Sequence, residues 1–405
     1  MPGTGPLRVG IDGACWANRR GFGRFTRGLV GAMVDVVAQE PDLHGPRGTE
    51  LRLLLDSASA SYPRLPPVPD GLTVDVAQVR TAPAEAAAAD GARGLSDVLA
   101  MTRAARRAAY DVVFFPASYS WFPVLGAPVV LTVHDAIAET LPELTLPSRA
   151  ARLRWNLKQR LALRQAHTVL TVSEASRAAV REHLGVDDGR LQVVHEAPDD
   201  HFRPVAEADR TPALARHGVA PGTRYLLYVG GISPHKNLLM LVEAFARLAD
   251  PDLHLLLVGA TDDDPFMSST GSVRAAVAAS SASERVRLLG YVADEDLPAL
   301  YAAALATVQP SLGEGFGLTA AESVACGTPV VASRDAALVE LLGPAGTFAD
   351  AFSVEEWTST LAGLAADPGR LAALSAAGLE RAAGWSWDQG ARRTLAALAE
   401  AAGRG

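Results

Sequence analysis

Cysteine is nearly absent from this chain: Cys15 and Cys326 are the two among 405 residues. They lie in different halves and cannot build a metal site alone. So few cysteines fit a reducing compartment rather than a disulfide framework. Long apolar runs are missing as well. No stretch reaches the roughly 18 residues that a membrane-spanning helix needs. The opening Met-Pro-Gly-Thr-Gly-Pro has no basic segment followed by an apolar core, so no signal peptide is expected, and the expected location is cytoplasmic. Positive charge is in deficit. Lys and Arg number 37 against 45 Asp and Glu, a net charge of −8, which disfavours a nucleic-acid binder relying on overall charge. No internal repeat is present, and alanine tracts such as Ala86–Ala89 read as composition bias.

Hydrophobic residues make up 49% and charged residues 20%, the balance of a globular enzyme, and 405 residues suffice for two domains. Short apolar, β-branched runs alternate with helical stretches, which implies βαβ units around parallel sheets. Strands are expected at Leu7–Ile11, Leu51–Leu55, Leu72–Val76, Val112–Pro116, Val129–Val133, Thr168–Val172 and Leu191–Val194, then at Tyr225–Val229, His254–Val258, Val286–Leu289, Ala306–Gln309 and Val330–Ala332. Helices are expected at Phe25–Ala38, Leu95–Ala109, Ala150–Ala166, Glu174–His183, Asn237–Leu248, Ser272–Ser281 and Ser353–Ala366. Between the two blocks, Asp199 to Thr223 lacks periodicity and is rich in proline, which reads as a linker. The expected fold is α/β, with two doubly wound, Rossmann-like domains facing a cleft. Ligands of such folds bind at the carboxyl ends of the strands. The expected domains are 1–205, 206–384 and a terminal helical segment, 385–405.

The most informative segment is 313–329, Gly-Glu-Gly-Phe-Gly-Leu-Thr-Ala-Ala-Glu-Ser-Val-Ala-Cys-Gly-Thr-Pro. It places Glu314 and Glu322 on either side of a glycine-rich turn, Gly315-Phe316-Gly317, that can bend through positive φ. A short helix should start near Leu318 or Thr319 and stop at Cys326, with Gly327 as its left-handed cap and Pro329 barring continuation. The N–H groups at such a helix start bind phosphate oxygens, and two flanking carboxylates accept hydrogen bonds from sugar hydroxyls. A nucleotide-sugar suits that arrangement; a plain helix start with two solvated glutamates fits the same letters.

The form Glu314-Gly-Phe-Gly-Leu to Glu322, then Ala325-Cys-Gly-Thr-Pro-Val330, resembles the E-x7-E motif of the retaining family-4 glycosyltransferases of GT-B fold. Other segments match that family in the right order. Tyr225–Asn237, Tyr-Leu-Leu-Tyr-Val-Gly-Gly-Ile-Ser-Pro-His-Lys-Asn, resembles its glycine–proline–lysine loop. A lysine at a helix start opposes the helix dipole unless an anion lies nearby, so Lys236 is a candidate diphosphate ligand. An ordinary surface lysine in a turn is the alternative. Relatives often carry arginine where this chain has Gly231, so His235 or Arg24 is expected to substitute, or one cation to suffice. Arg19-Arg-Gly21-Phe22-Gly23-Arg24-Phe25 resembles the glycine-rich loop that closes on the donor phosphates and shapes the acceptor pocket. It is not a dinucleotide fingerprint, because Thr26 stands where the third glycine belongs. A mobile surface loop fits the same letters.

Val133-His134-Asp135 should end a strand, and His134 matches the family's histidine beside the transferred sugar. Val172-Ser173-Glu-Ala-Ser-Arg177 resembles the family's strand-to-helix turn, but helix capping is the favoured reading of Ser173. Where many relatives have Pro-Asn-Gly, this chain has His195-Glu-Ala. The resemblance implies retaining transfer of a hexose, from GDP-mannose or a UDP-sugar, to a hydroxyl acceptor such as a glycan, a lipid-linked sugar or a small glycoside. It implies His134, Lys236 and Glu314 as catalytic. It implies Gly21, Gly23, Gly231, Lys236, Gly315, Phe316, Gly317, Leu318 and Glu322 on the donor, and Phe22, Arg24 and Asp135 on the acceptor. No cofactor and no metal are expected, and Asp262-Asp-Asp264 reads as a solvated loop. A non-catalytic nucleotide-sugar-binding protein, an epimerase or a phosphorylase of the same fold are the alternatives. Finally, 148–164 carries six basic residues and no acid, interleaved with Leu153, Leu157 and Leu161. That pattern fits a solvated helix face or a peripheral contact with an anionic membrane.

Overall fold

The computed structural model describes residues 5–18, 21–43, 48–62, 65–80, 94–259 and 268–403. Arg19, Arg20, Ala86–Ala89 and Asp262–Asp264 of the sequence reading lie outside them. The chain forms two compact units. The first comprises Met1–Pro142, Leu146–Glu196 and Ser386–Gly405, and the second Glu143–Thr145 and Ala197–Trp385.

The first unit holds a seven-stranded parallel sheet in the order β3-β2-β1-β4-β5-β6-β7. Its strands are β1 Leu7–Asp12, β2 Thr49–Asp56, β3 Leu72–Ala77, β4 Val112–Phe115, β5 Val129–Thr132, β6 Ala166–Thr171 and β7 Leu191–Val193. Ile11 of β1 pairs with Leu53 on one side and Phe114 on the other, so the chain winds outward in both directions from β1 and β4. The helices that bear on function here are α1 Gly21–Gln39, α2 Arg149–Gln165 and α3 Glu174–Leu184. The last helix, Trp387–Ala401, packs on α1. There the Trp387 ring meets Phe25 at 5.9 Å, and Arg392 pairs with Glu40 at 2.6 Å.

The second unit holds a six-stranded parallel sheet, β10-β9-β8-β11-β12-β13. Its strands are β8 Arg224–Val229, β9 Leu253–Val258, β10 Val286–Gly290, β11 Ala306–Gln309, β12 Val330–Ser333 and β13 Gly346–Ala349. Helices cover both faces, so alternate residues of one strand enter different cores. Leu226 and Tyr228 pack on one side of β8, and Tyr225, Leu227 and Val229 on the other. Winding reverses between β8 and β11, which are hydrogen-bonded neighbours. Their carboxyl ends therefore open at a topological switch point, where the connecting loops diverge.

Three expectations need correction. The segment Asp199 to Thr223 is not all linker: it contains α4, Glu207–Arg216, with Pro212 inside. Ala213 and Leu214 of α4 are buried, and Arg216 and His217 bond Asp296, so packing and charge hold a helix that proline chemistry argued against. The first long helix starts at Gly21 rather than Phe25, so Gly21, Phe22, Gly23 and Arg24 form its first turn. The edge strand β13 was not anticipated.

Candidate active site

Two loops meet at the β8/β11 switch point. The first follows β8. Pro234–Lys236 makes a tight 3-10 turn, and Asn237 adopts left-handed φ of 59° before α5, Leu238–Ala246. That strained residue is held by its own side chain, which donates to Pro310 O at 3.2 Å and Ala351 O at 2.7 Å. The second loop follows β11, and Leu312 N donates to His235 O at 2.8 Å. These bonds stitch the loops together and bring Lys236 onto Glu314.

Lys236 Nζ lies 2.7 Å from Glu314 Oε1, with the side chains 19% and 13% exposed. Ser311 Oγ donates to the same oxygen at 2.7 Å, and Ser333 Oγ donates to Ser311 O at 2.6 Å. Burial alone would raise the Glu314 carboxyl, but the Lys236 ammonium and the Ser311 hydroxyl outweigh it and hold the group below the usual range. Neither Ser311 nor Ser333 was singled out in the sequence. His235 is pushed down to about 4, first by burial and then by Lys236. It is therefore neutral near pH 7 and does not replace a missing cation. A Cβ at Gly231 would meet nothing within 4 Å, so that position is open space.

Beyond Glu314 the turn runs into α6, Leu318–Ala325, close to the expected helix. Gly317 has φ of 96°, and a Cβ there would come within 2.6 Å of Leu338. Glycine is thus required twice over, by conformation and by space. Phe316 and Leu318 are buried, and Gly327 takes the left-handed φ of 80° expected of a helix cap. Glu322 lies on α6, is 1% exposed, and accepts a hydrogen bond from Tyr301 Oη at 3.0 Å. Burial, helped by the Glu322 charge, pushes the Cys326 thiol up to about 12, in keeping with a packing role. Asp335 caps α7, Ala336–Leu342, accepting from Ala337 N at 3.0 Å and Leu338 N at 3.2 Å. Its carboxyl is raised to about 6 by burial and by the charge of Glu314.

The remaining candidates lie in the first unit. His134 follows β5 as expected but is 6% exposed, with both ring nitrogens engaged. Nδ1 is 3.2 Å from Glu196 Oε1, and Nε2 is 2.9 Å from Pro116 O. A carbonyl only accepts, so Nε2 donates to Pro116 O. The ring packs edge-on against Phe22 at 4.9 Å and Phe25 at 4.5 Å. Glu196, absent from the expected set, is thus the histidine's partner 62 residues on. Gly23 brings α1 close to the preceding turn, since a Cβ would stand 1.7 Å from Asn18 O. Arg24 and Asp135 are half-buried, and Asp135 caps the turn after β5 by accepting from Ile137 N at 2.9 Å. Ser173 caps α3, as the capping reading expects, accepting from Ser176 N at 2.9 Å. Ser176 in turn donates to His134 O at 2.6 Å. Among the described residues no cluster of His, Cys, Asp and Glu could hold a metal ion.

Family comparisons agree with this architecture. Residues 209–381 match the model for glycosyl transferases group 1, and residues 43–201 match that for glycosyltransferase family 4. The chain is similar to O-antigen chain mannosyltransferase B of Escherichia coli, at 32% identity over 66% of this chain and 68% of that protein. It is also similar to D-inositol 3-phosphate glycosyltransferase of Rhodococcus jostii, at 33% identity over 65% of this chain but only 59% of that protein. Among solved structures, sucrose-phosphate synthase from Thermosynechococcus elongatus superposes with a TM-score of 0.76 over 97% of this chain and 98% of that one, at 20% identity. WaaG, a glycosyltransferase involved in lipopolysaccharide biosynthesis, gives 0.72 over 97% and 99%, at 16% identity. The two Rossmann-like sheets are those of the GT-B fold, and the chain belongs to the group 1, family-4 glycosyltransferases.

Proposed function

We propose that this enzyme transfers a hexose, with retention at the anomeric carbon, from GDP-mannose or a UDP-sugar to a hydroxyl acceptor. The observation that carries the donor side is the Lys236–Glu314 contact at the β8/β11 switch point, beside the start of α6. The ammonium has three N–H donors, and Glu314 takes one. The others suit a diphosphate, a role that fits a compact point charge. The main-chain amides at 315–318 face the same need. Glu314 is ionised and held from one side, so its other oxygen serves a sugar hydroxyl. Glu322 serves the ribose from α6.

In this reading the acceptor oxygen attacks the anomeric carbon on the face from which the diphosphate departs. The new carbon–oxygen bond forms as the carbon–phosphate-oxygen bond breaks, and the acceptor's proton passes to the departing phosphate. The chain's task is positioning and stabilising charge on the leaving group. No metal enters the scheme. The work is cytoplasmic, at the inner membrane face where the acceptor is lipid-linked. The likeness to a mannosyltransferase and to inositol-phosphate glycosyltransferases supports a sugar nucleotide and a hydroxyl acceptor. Mixing the chain with GDP-mannose or UDP-sugars tests it: free nucleoside diphosphate should appear only when a sugar or polyol acceptor is added, and the product should keep the donor's anomeric configuration. Turnover without acceptor, or inversion, would overturn the reading.

A further inference from the structure

We propose that a cavity at the carboxyl ends of β11, β12 and β13 is a subsite for an uncharged sugar ring of the acceptor. The cavity measures about 270 Å3, and its walls include Leu312, Ser333, Arg334, Asp350, Ala351 and Phe352. Sites for drug-sized ligands run to roughly 300–1,000 Å3, so this volume suits one ring rather than a nucleotide. Phe352 is the feature that calls for a ligand. It is 81% exposed, against 41% for Tyr62 and 48% for Tyr291. A loose loop would account for an exposed ring, but this loop is tied down at each residue. Asp350 N donates to Glu356 Oε2 at 3.1 Å, Ala351 O accepts from the Asn237 side chain at 2.7 Å, and Phe352 N donates to Asp350 Oδ1 at 2.9 Å. The backbone thus presents the phenyl group at the cavity rim, and little ordering remains to be done on binding.

The polar walls match a sugar as well. Arg334 pairs with Glu356, Nη1 donating to Oε2 at 3.1 Å and Nη2 to Oε1. That pairing offsets the charge a phosphate would seek, yet it uses only two of a guanidinium's five N–H donors. Asp350 spends Oδ1 on the Phe352 amide, and a carboxylate has a second oxygen to accept with. A donor fork on one wall, an acceptor on another and an aromatic face between them complement the hydroxyls and the apolar C–H face of a pyranose. The cavity also adjoins the candidate active site. At its back, Ser333 Oγ donates to Ser311 O, and Ser311 Oγ donates to Glu314 Oε1. That the ring belongs to the acceptor rests on the proposed function; that the cavity binds a sugar does not.

The test is fluorine NMR of the full chain carrying Phe352→Trp and labelled with fluorotryptophan, in the absence of donor. The resonance missing from the labelled wild type reports on the rim. It should move saturably with methyl α-mannopyranoside or methyl α-glucopyranoside and not with inorganic phosphate. Adding Arg334→Gln should weaken that binding about fivefold or more. In transfer to a soluble glycoside, Phe352→Leu should raise acceptor KM about fivefold and Phe352→Tyr should not, because stacking needs a flat ring rather than apolar bulk. Donor KM should stay at the wild-type value in both. A resonance unmoved by either hexoside at about 100 mM, where even a millimolar site fills, would overturn the proposal. So would a resonance moved by phosphate instead, or a Phe352→Leu variant that raises donor KM rather than acceptor KM. Because the resonance is read without turnover, a chain that binds the hexoside but transfers nothing would uphold the sugar-binding cavity and defeat only the transferase reading.

Discussion

Lys236 Nζ and Ser311 Oγ converge on a single oxygen, Glu314 Oε1, each at 2.7 Å. That convergence fixes the carboxylate's orientation and charge while leaving Oε2 without a hydrogen-bond partner among the described residues. The chain holds only two lysines, Lys158 and Lys236, among 37 basic residues. Arginine is the default cation here, so Lys236 stands out as a compact ammonium where the chain elsewhere uses a planar guanidinium.

The first prediction follows from that ammonium. Lys236→Ala removes a charge-assisted hydrogen bond to the diphosphate, worth roughly 1.5–3 kcal/mol. Donor kcat/KM should fall at least about tenfold. His235 cannot compensate near neutral pH, being pushed down to about 4. The variant also leaves Glu314 without its cation, so Lys236→Ala/Glu314→Ala, read by circular dichroism, serves as the folding control. Wild-type kinetics in a folded Lys236→Ala protein would reduce the lysine to a turn residue.

Ser311 acts through Glu314 and is a positioning residue. Its hydroxyl donates to the ionised carboxylate and helps hold it below the usual range, so Ser311→Ala should raise that carboxyl. The acid limb of kcat/KM should move to higher pH with it. The charged and polar groups around Glu314 that remain are Lys236, His235, Asp335 and Tyr228. Ser333→Ala removes only the bond to the Ser311 carbonyl and should leave the limb in place. A limb that stays put in Ser311→Ala would show that the serine merely fills space.

How much of this was legible in the sequence depends on the range of the interactions. The strands were visible because their apolar, β-branched runs are dictated by burial on both faces. β13 was not, since Gly346-Thr-Phe-Ala349 is four residues long, begins with glycine and has only β12 beside it. α4 was hidden by Pro212, whose cost is met by partners as remote as Asp296. The glutamates and Lys236 were readable because the motif spells out a turn, a helix start and its charges locally. Ser311 and Ser333 were not, because a serine after a strand reads as a cap or turn until the fold brings Glu314 to it. The Glu196 partner of His134 was equally invisible, being set by the pairing of separate strands.

Asp335 supplies a stability prediction. Its folded carboxyl titrates at about 6, against 3.8 for an unperturbed group, because burial and then Glu314 disfavour the charge. The native state therefore binds more protons than the unfolded chain between those values, and stability should fall as pH rises from about 4 to 6. The cost by pH 7 is about 3 kcal/mol at most. Asp335→Asn keeps a capping side chain for α7 and removes the charge. It should be no less stable than wild type at pH 7 in urea melts, and its stability should change less across the window. A variant that loses about 1 kcal/mol or more at pH 7 would mean that the capping carboxylate outweighs its repulsion with Glu314.

The two glutamates of the central motif should fail in different ways. Glu314 stands at the loop with one oxygen engaged, where it can hold the sugar at the reacting carbon. Small misplacement there is costly, so Glu314→Gln should mainly lower kcat. Glu322 is buried on α6 and already bound to Tyr301. A ribose contact binds ground and transition states alike, so its loss should mainly raise donor KM. Glutamine is the substitution of choice at 322, because it preserves volume and can still accept from the tyrosine, whereas alanine would leave a buried hydroxyl unpaired. Tyr301→Phe separates the roles further: if the tyrosine only orients Glu322, it should raise donor KM less than Glu322→Gln and leave kcat unchanged. Each full loss should amount to about tenfold or more. If Glu314→Gln keeps wild-type kcat while Glu322→Gln loses it, the hexose lies nearer α6 than this arrangement requires, and the assignment of the two carboxylates must be reversed.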